Sequence, residues 1–328
     1  LALEVRVLSG ADVRALLPMG ACIDLMQETM IAVSNGAARI PPRQVLPVSA
    51  GNLMGLMPGY LAEPECFGLK LISLFPGNPA AGLSSHLGLV MLFEAKHGQP
   101  VAILDAAELT AIRTAAVSGL ATRLLARPEA GDLAILGAGE QAHSHLAAML
   151  AVRPVRRVRV WSRTPDHAVA FADAASQRHG LAIELAASPE DAVTGADLIC
   201  TVTAAPTPIL EGAWIAPGAH LNAVGASRPN AAEIDTALLV RSRFFVDFRP
   251  SAALEAGEYL QAVAAGAISE AHILGEVGEL AAGRVAGRLG ADDVTVFKSL
   301  GIAAEDLAAA HFVLEAARTQ GVGQTFEL

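Results

Sequence analysis

Residues 132–142 read DLAILGAGEQA. An apolar run ends in the pattern G-x-G-x-x-A, formed by Gly137, Gly139 and Ala142. The run predicts a strand, EQAHSHLAAML behind it predicts a helix, and VRVW then supplies a second strand. That strand–turn–helix–strand order is the context a dinucleotide-binding βαβ unit requires. Gly137 permits the tight turn, and Gly139 lets a pyrophosphate approach the backbone. Ala142 lets helix and strand pack closely, and the helix N-terminus offers N–H groups to the anion. A glycine pattern without this context would be only a structural turn.

The same alternation continues outward. PDHAVAFADAASQRH, AIELAA, PEDAVTGA, DLICTVT, LNAVG and FFVDF follow in helix–strand order. This predicts an α/β fold with parallel strands and helices on both faces. Thr164-Pro165 and Ser188-Pro189 each place a capping hydroxyl before a proline at the first helical position. Before residue 106 the pattern differs. Residues 20–35 predict a helix stopped at Gly36, and Pro41-Pro42 breaks the chain. RQVLPV, NLMGLM, CFGLKLISLF, LGLVMLFE and PVAILD then follow as strands without helices between them, so a mostly antiparallel sheet is expected. The last two flank AKHGQ and predict a hairpin. ELTAIRTAAVSGLATRLLA predicts a long helix closed at Arg127-Pro128.

The 328 residues suit two domains, and 53% hydrophobic with 17% charged residues allows large cores. A net charge of -10 argues against nucleic acid or an anionic membrane as the general partner. Cys22, Cys66 and Cys200 form no CxxC pair, and no histidine or carboxylate cluster points to a metal. The segment LALEVRVLSG has no basic-then-apolar signal layout, and LGLVMLF falls short of the ~20 residues of a membrane helix. A cytoplasmic protein is therefore expected.

The site residues come next. After the second strand an NAD-type site places an acid, but this chain has Ser162-Arg163-Thr164. A cation and two hydroxyls suit the 2′-phosphate of NADP, unless Arg163 is only a solvated surface residue. Lys70 lies among Gly68, Ile72 and Leu74 on one strand face, with Phe67, Leu69 and Leu71 on the other. A partly buried ammonium is expected there, needing an anionic partner or a lowered pKa; the alternative is an edge lysine reaching solvent. Arg113 interrupts the apolar stripe Leu109, Val117, Leu120 and Leu124, so it points inward, toward a ligand or toward a structural ion pair. Arg43 by itself reads as a surface arginine starting a strand, and His143 and His145 read as ordinary. Two inward cations beside a nicotinamide site suit a small carboxylate substrate.

Together IPPR, FGLKLISLFPGN, ELTAIRTAAVSGLAT, AILGAGEQA, VRVWSRT, NAVGASRPNAAEID and TVFKSLGIAAEDLAAA resemble the ornithine cyclodeaminase/mu-crystallin family over nearly the whole chain. The resemblance implies a Rossmann NAD(P) domain over 118–299. It also implies an α+β substrate-binding and dimerisation domain from 1–117 and 300–328, with the late helix near 302 returning to it. It implies that Arg43, Lys70 and Arg113 bind a substrate carboxylate, that Lys70 assists proton transfer, and that His86 falls near the pocket. Thr114, Gly137, Gly139, Glu140, Gln141, Ser162, Arg163, Thr164, Val202, Val224 and Ser227 match cofactor positions, with Val224 and Ser227 facing the nicotinamide.

One departure decides the activity expected. Ornithine cyclodeaminases carry an aspartate at the loop tip where NAVGASRPN places Ser227. Serine supplies no carboxylate charge and no base near neutral pH without a partner. With the SRT segment, this version resembles the ketimine-reductase branch. The expected activity is NAD(P)H-dependent reduction of Δ1-pyrroline-2-carboxylate to L-proline or of Δ1-piperideine-2-carboxylate to L-pipecolate, with NADP(H) preferred, NAD(H) possible and Ser227 and Lys70 in the catalytic set. The alternatives are ornithine cyclodeaminase, alanine dehydrogenase and a non-catalytic NADP-dependent binding protein.

Overall fold

The computed structural model describes residues 4–49 and 51–327. The chain divides into two compact units, one from residues up to Thr114 together with those from Gly301 onward, the other Ala115–Leu300. The first begins with β1 (Glu4–Leu8), α1 (Gly10–Leu16) and α2 (Met19–Ser34). Ser9 and Asp12 close the start of α1 with a reciprocal capping box. β2 (Ala38–Arg39), which carried no strand signal, comes next; β3 (Gln44–Ser49), β4 (Asn52–Ala62), β5 (Glu65–Leu74), β6 (His86–Glu94) and β7 (Pro100–Asp105) follow, as the run of strand signals predicted. α3 (Ala106–Leu125) starts in this unit and continues into the next.

The second unit alternates β8 (Asp132–Leu136), α4 (Glu140–Val152), β9 (Arg157–Trp161), α5 (Pro165–His179), β10 (Ile183–Leu185), α6 (Pro189–Val193), β11 (Leu198–Thr201) and β12 (His220–Ala223). α7 (Thr236–Arg241), β13 (Arg243–Val246), α8 (Arg249–Glu255), α9 (Gly257–Ala264), β14 (Ile273–Glu276), α10 (Val277–Ala281) and β15 (Thr295–Lys298) complete it. The sheet runs β10-β9-β8-β11-β12-β15-β13-β14, and every pair is parallel. The strand order reverses beside β8. Because crossovers are right-handed, the helices on the two sides of that reversal cover opposite faces. Leu136, Ile199, Leu221, Phe244 and Val296 form part of its core.

The chain then returns to the first unit as α11 (Ala303–Gln320) and β16 (Gln324–Glu327). That sheet is ordered β16-β1-β7-β6-β5-β4-β2, with β3 also on β4. Only β1 and β7 pair in parallel among these strands; β6 and β7 are the antiparallel hairpin read from the sequence. α11 packs against β4, β5 and α2; its residues 303–310 are buried on every side, and Val313, Leu314 and Ala317 continue the contact on one side.

One start signal differs from its reading. Ser188 caps α6, accepting from the Asp191 N–H at 3.0 Å, but Thr164 makes no side-chain bond to α5. Pro165 at the first position and Asp166 in the first turn mark that start instead. Cys22, Cys66 and Cys200 are free and buried. Among the described residues no single helix is long and apolar enough to cross a membrane.

Candidate active site

Lys70 sits in the middle of β5, opposite Met57 on β4 and Val90 on β6. The alternation of β5 turns Cys66, Gly68, Lys70 and Ile72 to its buried face. The lysine is therefore buried outright, at 3% exposure, rather than partly. Its Nζ lies 3.0 Å from Asp306 Oδ2 and 3.4 Å from Thr110 Oγ1. Burial and the nearby Arg113 charge outweigh the pull of Asp306, and the ammonium pKa falls from 10.5 to about 8.

Arg113 on α3 is also 3% exposed. Its Nε donates to Asp306 Oδ1 at 2.9 Å and its Nη1 to Glu305 Oε2 at 2.5 Å. Burial works against the charge, but Asp306 and Glu305 win and raise its pKa. The structural ion pair weighed for this arginine is thus present. No described residue accepts from its Nη2, so the ion pairs leave part of the guanidinium fork for a ligand. Gly301, at φ 74°, gives the guanidinium room: a Cβ there would lie 2.4 Å from Nη1. Arg43, half-buried, donates from Nη2 to the Gly301 carbonyl at 3.0 Å. Arg43, Lys70 and Arg113 therefore share one neighbourhood in the first unit, with Glu305 and Asp306 from the first turn of α11 between them. Thr114 follows Arg113 on α3 and is buried.

His86 opens β6 opposite Leu74, away from the Lys70 register position. It is exposed by area, with Ser85 Oγ at 2.9 Å from Nδ1. Protein atoms crowding the ring, and then the Lys70 charge, hold its pKa below the ordinary histidine value. His145 is a satisfied core histidine: Nδ1–H donates to the Gln141 carbonyl at 2.8 Å and Nε2 accepts from Ser118 at 3.0 Å. Burial lowers its pKa to about 4, so it is neutral.

The second unit places the expected cofactor positions at the carboxyl ends of its strands. Gly137 follows β8, Ser162 follows β9, Val202 follows β11 and Val224 follows β12. Gly137 has φ 113°, and a Cβ there would sit 2.8 Å from the Val202 carbonyl oxygen. Gly139 caps α4 with no side-chain bond, and a Cβ there would meet nothing within 4 Å. Glu140 is exposed, and Gln141 has its Oε1 enclosed without a partner among the described residues. An open backbone cradle at a helix start, beside the strand-order reversal, fits a dinucleotide pyrophosphate. Arg163 and Thr164 are exposed, and Ser162 Oγ accepts from the Thr164 N–H at 3.3 Å. Replacing Gly137 with valine is expected to abolish detectable nucleotide binding, checked by calorimetric titration with NADPH and NADH. Unchanged affinity would remove the cradle from the site.

The sequence reading missed the supports beneath this surface. Ser227 is half-buried in the turn after β12. Glu233, fully buried, accepts from Thr201, Thr203 and the Gly225 N–H. Burial pushes its carboxyl up, while Lys298 and these donors oppose the shift. Buried Glu305, Asp306 and Lys298 were missed as well; acids in an alanine-rich helix start carry no local signal. Among the described residues no group of three or more His, Cys, Asp or Glu could hold a metal.

The family model for the ornithine cyclodeaminase/mu-crystallin family matches residues 4–321. The mouse (Mus musculus) ketimine reductase mu-crystallin is 40% identical over 86% of this chain and 86% of its own length. A Bacillus cereus Delta(1)-pyrroline-2-carboxylate reductase is 34% identical over 98% and 99%. The solved structure of the Thermococcus litoralis Delta(1)-pyrroline-2-carboxylate reductase, in complex with NADH and L-proline, matches with a TM-score of 0.95. It is 34% identical and covers 98% of this chain and 99% of that one. With these matches spanning both units, the chain belongs to the ornithine cyclodeaminase/mu-crystallin family.

Proposed function

We propose that this protein is an NAD(P)H-dependent reductase of small cyclic ketimine carboxylates, converting Δ1-pyrroline-2-carboxylate to L-proline or Δ1-piperideine-2-carboxylate to L-pipecolate. The observation that carries the proposal is the buried Lys70–Asp306–Arg113 array with Arg43 beside it. Arg113 and Arg43 bind the substrate carboxylate, which suits the planar guanidinium fork. Lys70, with its pKa lowered to about 8, hands its proton to the imine nitrogen. Asp306 holds the ammonium in place before and after that transfer. The burial of all three groups excludes water and strengthens each contact.

Gly137, Gly139 and the start of α4 are the groups that would hold the pyrophosphate, with Val202, Val224 and Ser227 near the nicotinamide. The nucleotide, when bound, supplies the hydride for the imine carbon. NADP(H) is the proposed preference, supported by exposed Arg163 after β9 and by the lack of an acid there. A homodimer is proposed as the assembly; β3 exposes Val45, Leu46 and Val48, an apolar edge that supports it.

The test supplies NADPH or NADH with each cyclic imine, and separately with pyruvate plus ammonia; NAD is supplied with L-ornithine. Nicotinamide oxidation with a cyclic imine, faster with NADPH, is the expected result. Release of ammonia and proline from ornithine at a comparable rate would overturn it. Ser227→Asp is expected to slow imine reduction about tenfold or more, because a carboxylate there repels the substrate's own. Unchanged or faster reduction would remove Ser227 from the specificity argument.

A further inference from the structure

The second unit holds a set of buried charges that the chemistry above leaves unused. Glu233 takes four hydrogen bonds: from Thr201 Oγ1 at 2.8 Å, the Thr203 N–H and Oγ1 at 2.7 Å each, and the Gly225 N–H at 2.6 Å. Lys298, 1% exposed, ends β15 and donates to the Ala226 carbonyl and to Glu258 Oε1, the latter at 3.2 Å. The same Glu258 oxygen accepts the Glu233 N–H at 3.2 Å. The set therefore ties together the carboxyl ends of three neighbouring strands, β11, β12 and β15. Burying charges merely to fill a core costs more than apolar packing does. What these charges hold is the turn after β12.

The contacts converge on one peptide unit. The Ala226 carbonyl and the Ser227 N–H belong to the same amide, and the Lys298 ammonium sits on the carbonyl side. An ammonium there polarises the amide and makes its N–H a stronger donor. Glu233 fixes the N–H two residues earlier, that of Gly225. None of the hydrogen bonds among the described residues uses the Ser227 N–H.

We propose that Lys298, Glu258 and Glu233 are positioning residues that hold the Ser227 turn rigid and present its amide as a strengthened donor for the nicotinamide half of the cofactor. The inference rests on the reductase reading, in which this turn serves the nicotinamide. It assigns a function to residues that touch neither substrate nor reacting atoms.

The test compares NADPH with 2′,5′-ADP, which lacks the nicotinamide. Lys298→Met with Glu258→Met removes both members of the ion pair, so neither is left buried without the other. NADPH affinity is expected to fall about tenfold with 2′,5′-ADP affinity unchanged. The kcat for imine reduction is expected to fall about a hundredfold. In a Ser227→Gly background the same pair should cost clearly less than it does in the wild type, because the freed turn no longer transmits its hold. Lys298→Arg should restore most of the NADPH affinity. Equal losses for both ligands, or full additivity with Ser227→Gly, would overturn the proposal.

Hydrogen exchange on the wild-type protein gives a variant-free measure should the double variant not fold. NADPH should slow exchange of the Ser227 amide and 2′,5′-ADP should not; absence of that difference also overturns the proposal. Wild-type imine turnover without the difference sinks this inference alone. The difference without turnover sinks the reductase reading and leaves the positioning set standing.

Discussion

Lys70→Met is expected to lower kcat/KM for cyclic imine reduction about a thousandfold while leaving NADPH affinity unchanged. General acid catalysis contributes about 10²–10⁴-fold, and the lysine also carries a charge next to the substrate carboxylate. The wild-type profile should be level up to about pH 8 and fall above it, because the buried ammonium titrates near 8. Asp306, Arg113, Arg43, Thr110 and, farther off, His86 are groups around that ammonium. Stability moves the other way. Between pH 8 and 10.5 the unfolded chain binds more protons at this lysine than the folded one, so its contribution to stability rises with pH. An activity loss in that window therefore reports loss of the acid and not unfolding. The alkaline limb should vanish in Lys70→Met. If it persists, another group titrates and Lys70 is not the proton source.

Arg113→Ala should do damage in two separable ways. Glu305 and Asp306 are both buried and would each lose an ion-pair partner. Breaking a buried pair from one side costs about 3–5 kcal/mol, readable as a lower urea midpoint. Adding Glu305→Gln should return part of that loss, because a neutral amide tolerates burial better than a lone carboxylate. The second effect is on substrate. Losing a charged hydrogen-bond fork should raise KM for the imine about a hundredfold. Arg113→Lys keeps the charge but not the planar fork, so it should fold well and show an intermediate KM. A wild-type KM in Arg113→Lys would mean the arginine serves only the ion pairs.

How much was legible in the sequence follows from the range of each interaction. The glycine turn, the parallel sheet, the β6–β7 hairpin and the helices α4 and α5 are local patterns, and all appear where the residues placed them. The inward direction of Lys70 and Arg113 was legible because each interrupts an apolar face. Their partners were not. Arg113 and Asp306 are 193 positions apart, and Lys70 and Asp306 are 236 apart. No periodicity links them, and Glu305-Asp306 alone reads as two acids favouring a helix start. The brace beneath the Ser227 turn is hidden for the same reason: Glu233, Glu258 and Lys298 come from three separate segments. Thr164 shows a converse limit. A cap residue followed by proline is a valid start signal even where the hydroxyl makes no bond to the helix.

The placement of α11 and β16 in the first sheet sets an order of assembly during synthesis. Residues 115–300 leave the ribosome as one uninterrupted segment that contains every strand of its own sheet. The first unit has no such autonomy. β1 waits for β16, and Lys70 and Arg113 are made long before Glu305 and Asp306 emerge to neutralise them. A nascent chain therefore carries these cations without their acidic partners until α11 is out, and the first unit is completed after the second.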